Sequence, residues 1–219
     1  MKTAMILAAG RGERLRPLTD LTPKALCRVH NIPLIEYHVA NLAQAGFIRI
    51  VINHAWLGGH IRQQLGDGGR WGIQICYSPE PPGGLETGGG IVNALPLLGD
   101  MPFLTVNADI FTDYSFKSLT FPADSMVHLI LVNKPACFSQ GDFGLSTAGL
   151  IKNDDRQYTF SGMACYRPAL FSNRPPGRFS VAPLLRELAM EGRATGTVHT
   201  GRWIDIGSPE RLACAESYD

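Results

Sequence analysis

The sequence predicts an α/β fold: a Rossmann-like, mixed but mostly parallel sheet with helices on both faces. Two observations predict it. Short apolar or β-branched runs alternate with helical patterns along most of the chain, as in successive strand–helix–strand units. The composition is that of an ordinary globular protein, 45% apolar and 18% charged over 219 residues with a mean hydropathy of +0.01, so a sizeable core can be buried. Gly and Pro are frequent, 24 and 15 residues, and they cluster as functional loops do.

Residues 3–8 read as a buried strand ending at Gly10. Residues 33–45 read as a helix, with Pro33 in its first turn and Gly46 as its stop. A β-branched strand over 48–53, a short helix over 59–65 and a strand over 73–77 follow. A Pro- and Gly-rich stretch over 79–90 precedes a helix over 91–98. The strand over 103–106 runs into Asn107-Ala108-Asp109. The second half is less regular. It holds a strand over 126–132, a hairpin over 142–151 punctuated by Gly144 and Gly149, a strand over 158–166 and a helix over 181–191. Short strands over 197–199 and 203–206 lead to Ser208-Pro209-Glu210: an N-cap, a proline at the first helical position and a first-turn acid. No internal repeat or low-complexity segment breaks the pattern, and one domain over 1–219 is expected, with no C-terminal β-helix appended.

The charge balance excludes whole classes of partner. A net charge of +1 supplies no basic field for nucleic acid, so any phosphate must be held by a local site. No apolar run approaches the roughly 18 residues of a membrane helix. The opening residues mimic a signal peptide, but their apolar core is brief and Arg11, Glu13, Arg14 and Arg16 follow at once. Five cysteines, an odd number without a C-x-x-C pair, argue against a disulfide framework or a structural zinc site, and point to reduced thiols in a cytoplasmic protein. None of the six histidines pairs with another at metal-ligand spacing, and Trp56, Trp71 and Trp203 read as core or pocket wall. A monomer or a small homo-oligomer fits equally.

The most informative segment runs from Leu7 to Thr19, L-A-A-G-R-G-E-R-L-R-P-L-T. A buried strand delivers a loop with Gly10 and Gly12, whose backbone amides can approach an anion closely. Arg14 adds a fork of charged donors, and Lys24 follows Pro23 ten residues on. A bare G-x-G is usually a plain turn; the combination with Arg14 and Pro23-Lys24 is far more specific. It is not the dinucleotide fingerprint, because Leu15 stands where the third glycine belongs. The segment resembles the signature of the nucleotidyltransferases that make nucleotide sugars. The resemblance continues through Leu85-Glu86-Thr87-Gly88-Gly89, Asn107-Ala108-Asp109 and Trp203-Ile204-Asp205-Ile206-Gly207, nearly the whole chain.

The resemblance implies a reaction in which a sugar 1-phosphate attacks the α-phosphorus of a nucleoside triphosphate and releases pyrophosphate. Such chemistry needs charge neutralisation and alignment more than acid–base groups, since the nucleophile is already an anion. Accordingly, no Ser-His-Asp arrangement is found. Mg2+ suits two polyanions and is normally held by one or two carboxylates. Asp109 follows a predicted strand, where open α/β sheets bind ligands, and is preferred to its neighbour Asp113. Asp205 alone reads as readily as a solvated edge residue; the resemblance makes it the second metal carboxylate. By the same resemblance Arg14 holds the triphosphate and leaving group, and Lys24 the incoming phosphate. Gly10, Arg11, Gly12 and Glu13 line the nucleotide.

Residues 80–87, with Glu80, Gly83 and Thr87, match the family's base-recognition loop. Many relatives place a glutamine five residues before the position of Glu86; here Pro81 stands there, with Glu80 adjacent. A Glu80 carboxylate accepts equally from uracil N3 or from guanine N1 and N2, so the base stays open on this residue. On the sugar side, Asn107, Gly144 and Asp154 are the candidate contacts. The family's Glu-Lys-Pro segment is replaced here by Lys152-Asn153-Asp154-Asp155, which suggests a sugar other than glucose. Taken together, the motifs look closest to the uridylyltransferase members of cell-wall sugar recycling, implying UTP as donor. The alternatives are guanylyl transfer to mannose or heptose 1-phosphate, or a non-catalytic nucleotide sensor, against which the intact Arg14, Lys24, Asp109 and Asp205 count.

Overall fold

The computed structural model describes residues 1–135 and 139–218. Its main sheet holds seven strands: β1 Thr3–Leu7, β2 Arg49–His54, β3 Gln74–Pro79, β4 Phe103–Asn107, β5 Val127–Asn133, β6 Tyr158–Tyr166 and β7 Ala194–His199. The spatial order is β7-β5-β6-β4-β1-β2-β3. All neighbours pair in parallel except those of β6, which is antiparallel to both β4 and β5. This is the mixed, mostly parallel sheet the sequence predicts. Because β6 joins β4 to β5, strands from both halves of the chain share one hydrogen-bonded ladder.

Helices α1 Leu34–Gln44, α2 Gly58–Leu65, α3 Glu86–Leu98 and α4 Ala182–Met190 cover the sheet, and α5 Pro209–Glu216 packs beside it. Side chains alternate along each strand, so each face buries its own set. Ala4, Ile6, Ile50, Ile52, Leu104 and Val106 pack with Ile35, Val39 and Leu42 of α1 and Ile61 of α2. Met5, Val51, Phe103, Leu129 and Leu131 pack with Ile91, Ala94 and Leu98 of α3 and Leu184, Leu185 and Leu188 of α4. Each buried Val, Leu, Ile, Met or Phe side chain among them contributes about 1.5–3 kcal/mol relative to exposure. A third cluster lies off the sheet. There Leu15, Cys27, Val29 and Leu34 meet Phe111, Ile206 and Ala215 of α5. His30 Nε2 lies 3.0 Å from the Glu216 carbonyl, so α5 is fastened to the segment that follows Lys24.

The structure departs from the expected elements in three places. The helix expected to begin at 91 begins at Glu86, five residues earlier, and runs through Gly88, Gly89 and Gly90. Glycine disfavours helix interiors by about 1 kcal/mol, which is why this stretch reads as loop. Packing overrides that preference. A Cβ on Gly88 would lie 2.3 Å from the Phe179 ring, and one on Gly89 2.0 Å from the Gly177 carbonyl oxygen. The first-turn amides of Gly88 and Gly89 both donate to the Phe179 carbonyl, at 3.0 and 3.2 Å, satisfying groups that a helix start leaves open. These three glycines are buried packing surface within the helix. The hairpin over 142–151 contracts to Gly144–Leu145 paired with Ile151–Lys152. The last strand, Trp203–Asp205, leaves the main sheet to pair antiparallel with Ile110–Thr112. The Ser208 cap is present, accepting from Arg211 N at 3.5 Å, with Pro209 at the first helical position.

Cys27, Cys76, Cys165 and Cys214 are free thiols, and Cys137 lies outside the described residues. No helix among the described residues is long and apolar enough to cross a membrane. His128 of β5 is buried between Thr195 and Thr197 at 2.9 and 3.3 Å, and burial pushes its pKa below the ordinary 6.5. The unfolded chain therefore binds a proton there at a higher pH than the folded one does. The stability this neutral imidazole contributes is complete above about pH 6.5 and is lost as pH falls below it. Urea unfolding at pH 7 and pH 5 is expected to show the loss, and His128→Gln to reduce it; an unchanged pH difference in the variant would contradict the assignment.

Candidate active site

β1 lies between β2 and β4, with Leu7 level with both Asn53 and Asn107. The chain leaves β1 toward β2 on one side, while β4 stands on the other, so the loops after β1 and β4 part company. Open α/β sheets form their ligand crevice at such a point. Here it is a cleft of about 960 Å³ at the carboxyl ends of the central strands. Of the residues singled out from sequence, Gly10, Arg11, Glu13, Lys24, Glu80, Gly83, Thr87, Asn107 and Asp109 line it.

The glycine loop is held back over Lys24. Gly12 adopts a left-handed φ of 71°, and a Cβ there would lie 3.0 Å from Lys24 Cβ. Thr19 Oγ1 donates to the Gly12 carbonyl at 2.8 Å, closing the loop from below. Arg11 is braced: its guanidinium donates to the Thr19 carbonyl at 2.6 Å, pairs with Asp20 at 2.8 Å and lies 4.1 Å over the Trp56 ring. Trp56 is thus pocket wall, as its sequence reading has it. Lys24 Nζ is ion-paired with the Asp109 carboxylate, one from each side of the crevice.

The late segment reaches the same place. Ile206 N donates to the Asp109 carbonyl at 2.9 Å, and Asp205 stands opposite Ile110 in register. The two candidate metal residues are therefore close along the backbone of a two-stranded ribbon. Asp205 itself does not line the main cleft. It borders an adjoining cavity of about 350 Å³ with Asn133, His199 and Trp203, and accepts from Arg211 Nη1 at 2.9 Å. Arg14 is exposed and its guanidinium lies over Gly207, where a Cβ would come within 2.6 Å of Nη2. Absence of a side chain at Gly207 is what lets Arg14 approach the Asp205 segment. Asp113, the rival of Asp109, is turned away and pairs with His199 at 2.9 Å.

Five sequence candidates do not line the cleft: Gly12, Arg14 and Asp205, which stand beside it as described, and Gly144 and Asp154. Gly144 and Asp154 sit in the small hairpin, and Asp154 is exposed. A Cβ on Gly144 would lie 2.4 Å from the Asp154 carbonyl oxygen, so this glycine permits a close backbone approach rather than lining the cleft. Glu80 lines the cleft but is only 9% exposed, and its two carboxylate oxygens already accept from Asn53 Nδ2 at 2.6 Å and Leu85 N at 2.7 Å. It shapes the loop as much as it faces a ligand. Sequence reasoning missed Asn53, Glu86 and Arg178, all of which line the cleft. Glu86, at a φ of 60°, ion-pairs with Arg178 at 3.1 Å across the mouth. Only Asn53, ending a strand at the carboxyl edge, carried a positional signal.

A sequence model described as Nucleotidyl transferase matches residues 3–136. The chain belongs to that family. This nucleotidyl transferase is 49% identical to the N-acetylmuramate alpha-1-phosphate uridylyltransferase of Neisseria meningitidis serogroup B, over 98% of this chain and 96% of the relative. It is 32% identical to the protein of the same name from Caulobacter vibrioides, over 99% and 96% of the two chains. In three dimensions the transferase is similar to an inositol-1-phosphate CTP transferase from T. maritima, with a TM-score of 0.80 at 18% identity, covering 99% of this chain and 97% of that one. That last likeness speaks for the fold.

Proposed function

We propose that the protein transfers UMP from UTP to N-acetylmuramate alpha-1-phosphate, giving UDP-N-acetylmuramate and pyrophosphate. The observation that carries this reading is the 49% identity, over nearly both full lengths, to a relative bearing that name. The geometry is suited to the chemistry. The triphosphate lies along the Gly10–Gly12 loop, with its base against residues 80–87. Arg14 neutralises the β- and γ-phosphates and then the departing pyrophosphate. Lys24 holds the sugar phosphate, one of whose oxygens attacks the α-phosphorus in line while the bond to pyrophosphate breaks. That oxygen is already anionic, so no group need remove a proton, and preorganised positive charge supplies the rate.

Asp109, just before the Ile110–Thr112 strand, and Asp205, on the strand paired with it, offer hard oxygen donors at 27% and 34% side-chain exposure, a donor type that fits Mg2+ completed by substrate phosphates. Bound there, Mg2+ neutralises phosphate charge as it develops. In the structure Lys24 and Arg211 pair with those carboxylates and orient them. Pyrophosphate release, measured over a matrix of UTP and GTP against N-acetylmuramate, mannose and glucose 1-phosphates with Mg2+, tests the reading. UTP with N-acetylmuramate 1-phosphate is expected to give the highest kcat/KM. GTP with mannose 1-phosphate outperforming it would overturn the proposal.

A further inference from the structure

We propose that Asn53 and Glu80 are a positioning pair that locks the base loop to the phosphate loop and so presets the depth of the nucleotide site. The inference deepens the reading above, in that it concerns the triphosphate half of the same cleft.

Four hydrogen-bonding groups form one line across the crevice floor. Ala8 N, at the start of the glycine loop, donates to Asn53 Oδ1 at 2.8 Å. Asn53 Nδ2 donates to Glu80 Oε1 at 2.6 Å. Glu80 Oε2 accepts from Leu85 N at 2.7 Å, at the far end of the base loop. The orientation of the Asn53 amide is not free: a backbone N–H can only donate, so the oxygen must face Ala8 and the nitrogen must face the carboxylate. Asn53 and Glu80 are 3% and 9% exposed, so water does not compete for these bonds. Among the described residues no Lys, Arg or His forms an ion pair with Glu80. A buried carboxylate held only by amides is costly to keep, and a chain that needed only packing there would do better with an apolar residue.

The surroundings are cut to this line. A Cβ on Gly90 would lie 2.6 Å from Glu80 Oε1 and 2.9 Å from Asn53 Nδ2, so α3 presents a bare backbone to the pair. Glu80 N donates to the His54 carbonyl at 2.9 Å, which fixes the residue at its backbone too. The base loop between Glu80 and Leu85 is thereby closed at both ends, by one residue, onto the strand that also holds Ala8. Any nucleotide whose phosphates rest on the glycine loop and whose base rests on residues 80–87 feels that spacing at once.

Two isosteric substitutions test the pair, because they can be exchanged. Asn53→Asp sets a carboxylate against a carboxylate. Glu80→Gln leaves an N–H facing either the Asn53 amide nitrogen or Leu85 N. Combined, they restore every bond with only the central one reversed: the introduced carboxylate accepts from Ala8 N and from the introduced amide, whose oxygen accepts from Leu85 N. The readout is direct binding of UTP and of GTP by calorimetry without sugar phosphate, together with KM for each substrate and thermal melting. Each single variant is expected to weaken the preferred triphosphate about tenfold, the cost of one unsatisfied buried group. KM for the sugar phosphate should change less than about twofold, and the double variant should return to within about threefold of the parent protein.

A double variant no better than the singles, or singles that weaken both substrates alike, overturns the proposal. Binding measured without a sugar keeps that outcome separate from a wrong choice of sugar 1-phosphate, which would leave the triphosphate results unchanged.

Discussion

Asp109→Asn is expected to lower kcat by at least about a thousandfold while the protein still folds, the scale of losing one preorganised electrostatic group at the reacting centre. The carboxylate lies at the end of β4, with its backbone tied to Ile206 N and its side chain to Lys24. Asparagine keeps the shape and the backbone bond and removes only the charge. Two things then fail together. The hard anionic donor suited to Mg2+ is gone, and Lys24 loses the partner that keeps it aimed across the crevice. Because the side chain is 27% exposed, the fold gains little from its charge, and the melting temperature should move by only a few degrees. Steady-state pyrophosphate release and thermal melting measure both. Activity within tenfold of the parent protein would remove Asp109 from the centre and return attention to Asp205.

Gly89→Ala is expected to cost about 3 kcal/mol of stability or more, since the new methyl would meet the Gly177 carbonyl oxygen 2.0 Å away. A flexible side chain would swing aside; a backbone carbonyl anchored by its neighbours cannot. Relief requires the 177–179 segment to lift, which breaks the bonds from Gly88 and Gly89 to Phe179 and carries Arg178 off the mouth of the cleft. For a protein of this size the melting temperature should fall by roughly 10 °C. Gly59→Ala is the control. It lies in α2 with nothing within 4 Å of the added carbon, so helix propensity alone acts and the change should be stabilising by up to about 1 kcal/mol. Equal melting temperatures for the two variants would show that Gly89 is not packed as described.

Gly89 also marks where sequence reasoning stops. The parallel strands were legible because their apolar runs need no partner to be recognised, and the loop after β1 because Gly10, Gly12, Arg14 and Lys24 stand at fixed spacing. The start of α3 was not, since Gly88–Gly90 are helical only through the 177–179 segment, almost ninety residues away in sequence. Asp109 was legible as the residue just beyond a strand. What occupies Glu80 was not, because Asn53 sits 27 residues earlier and its contribution depends on β2 and β3 being neighbours. Gly144 and Asp154 lie outside the cleft lining for a related reason: a glycine in a hairpin looks the same in sequence whether a ligand or its own backbone comes close.

The third hydrophobic cluster ties an early stretch of the sequence to a late one. Leu15, Cys27 and Val29 flank Arg14 and Lys24, and their apolar faces are completed by Ile206 and by Ala215 of α5. Leu15 and Ala215 stand two hundred residues apart in the sequence, yet they share one apolar cluster, so the segment that carries both cations takes part of its cover from a helix made much later in the chain.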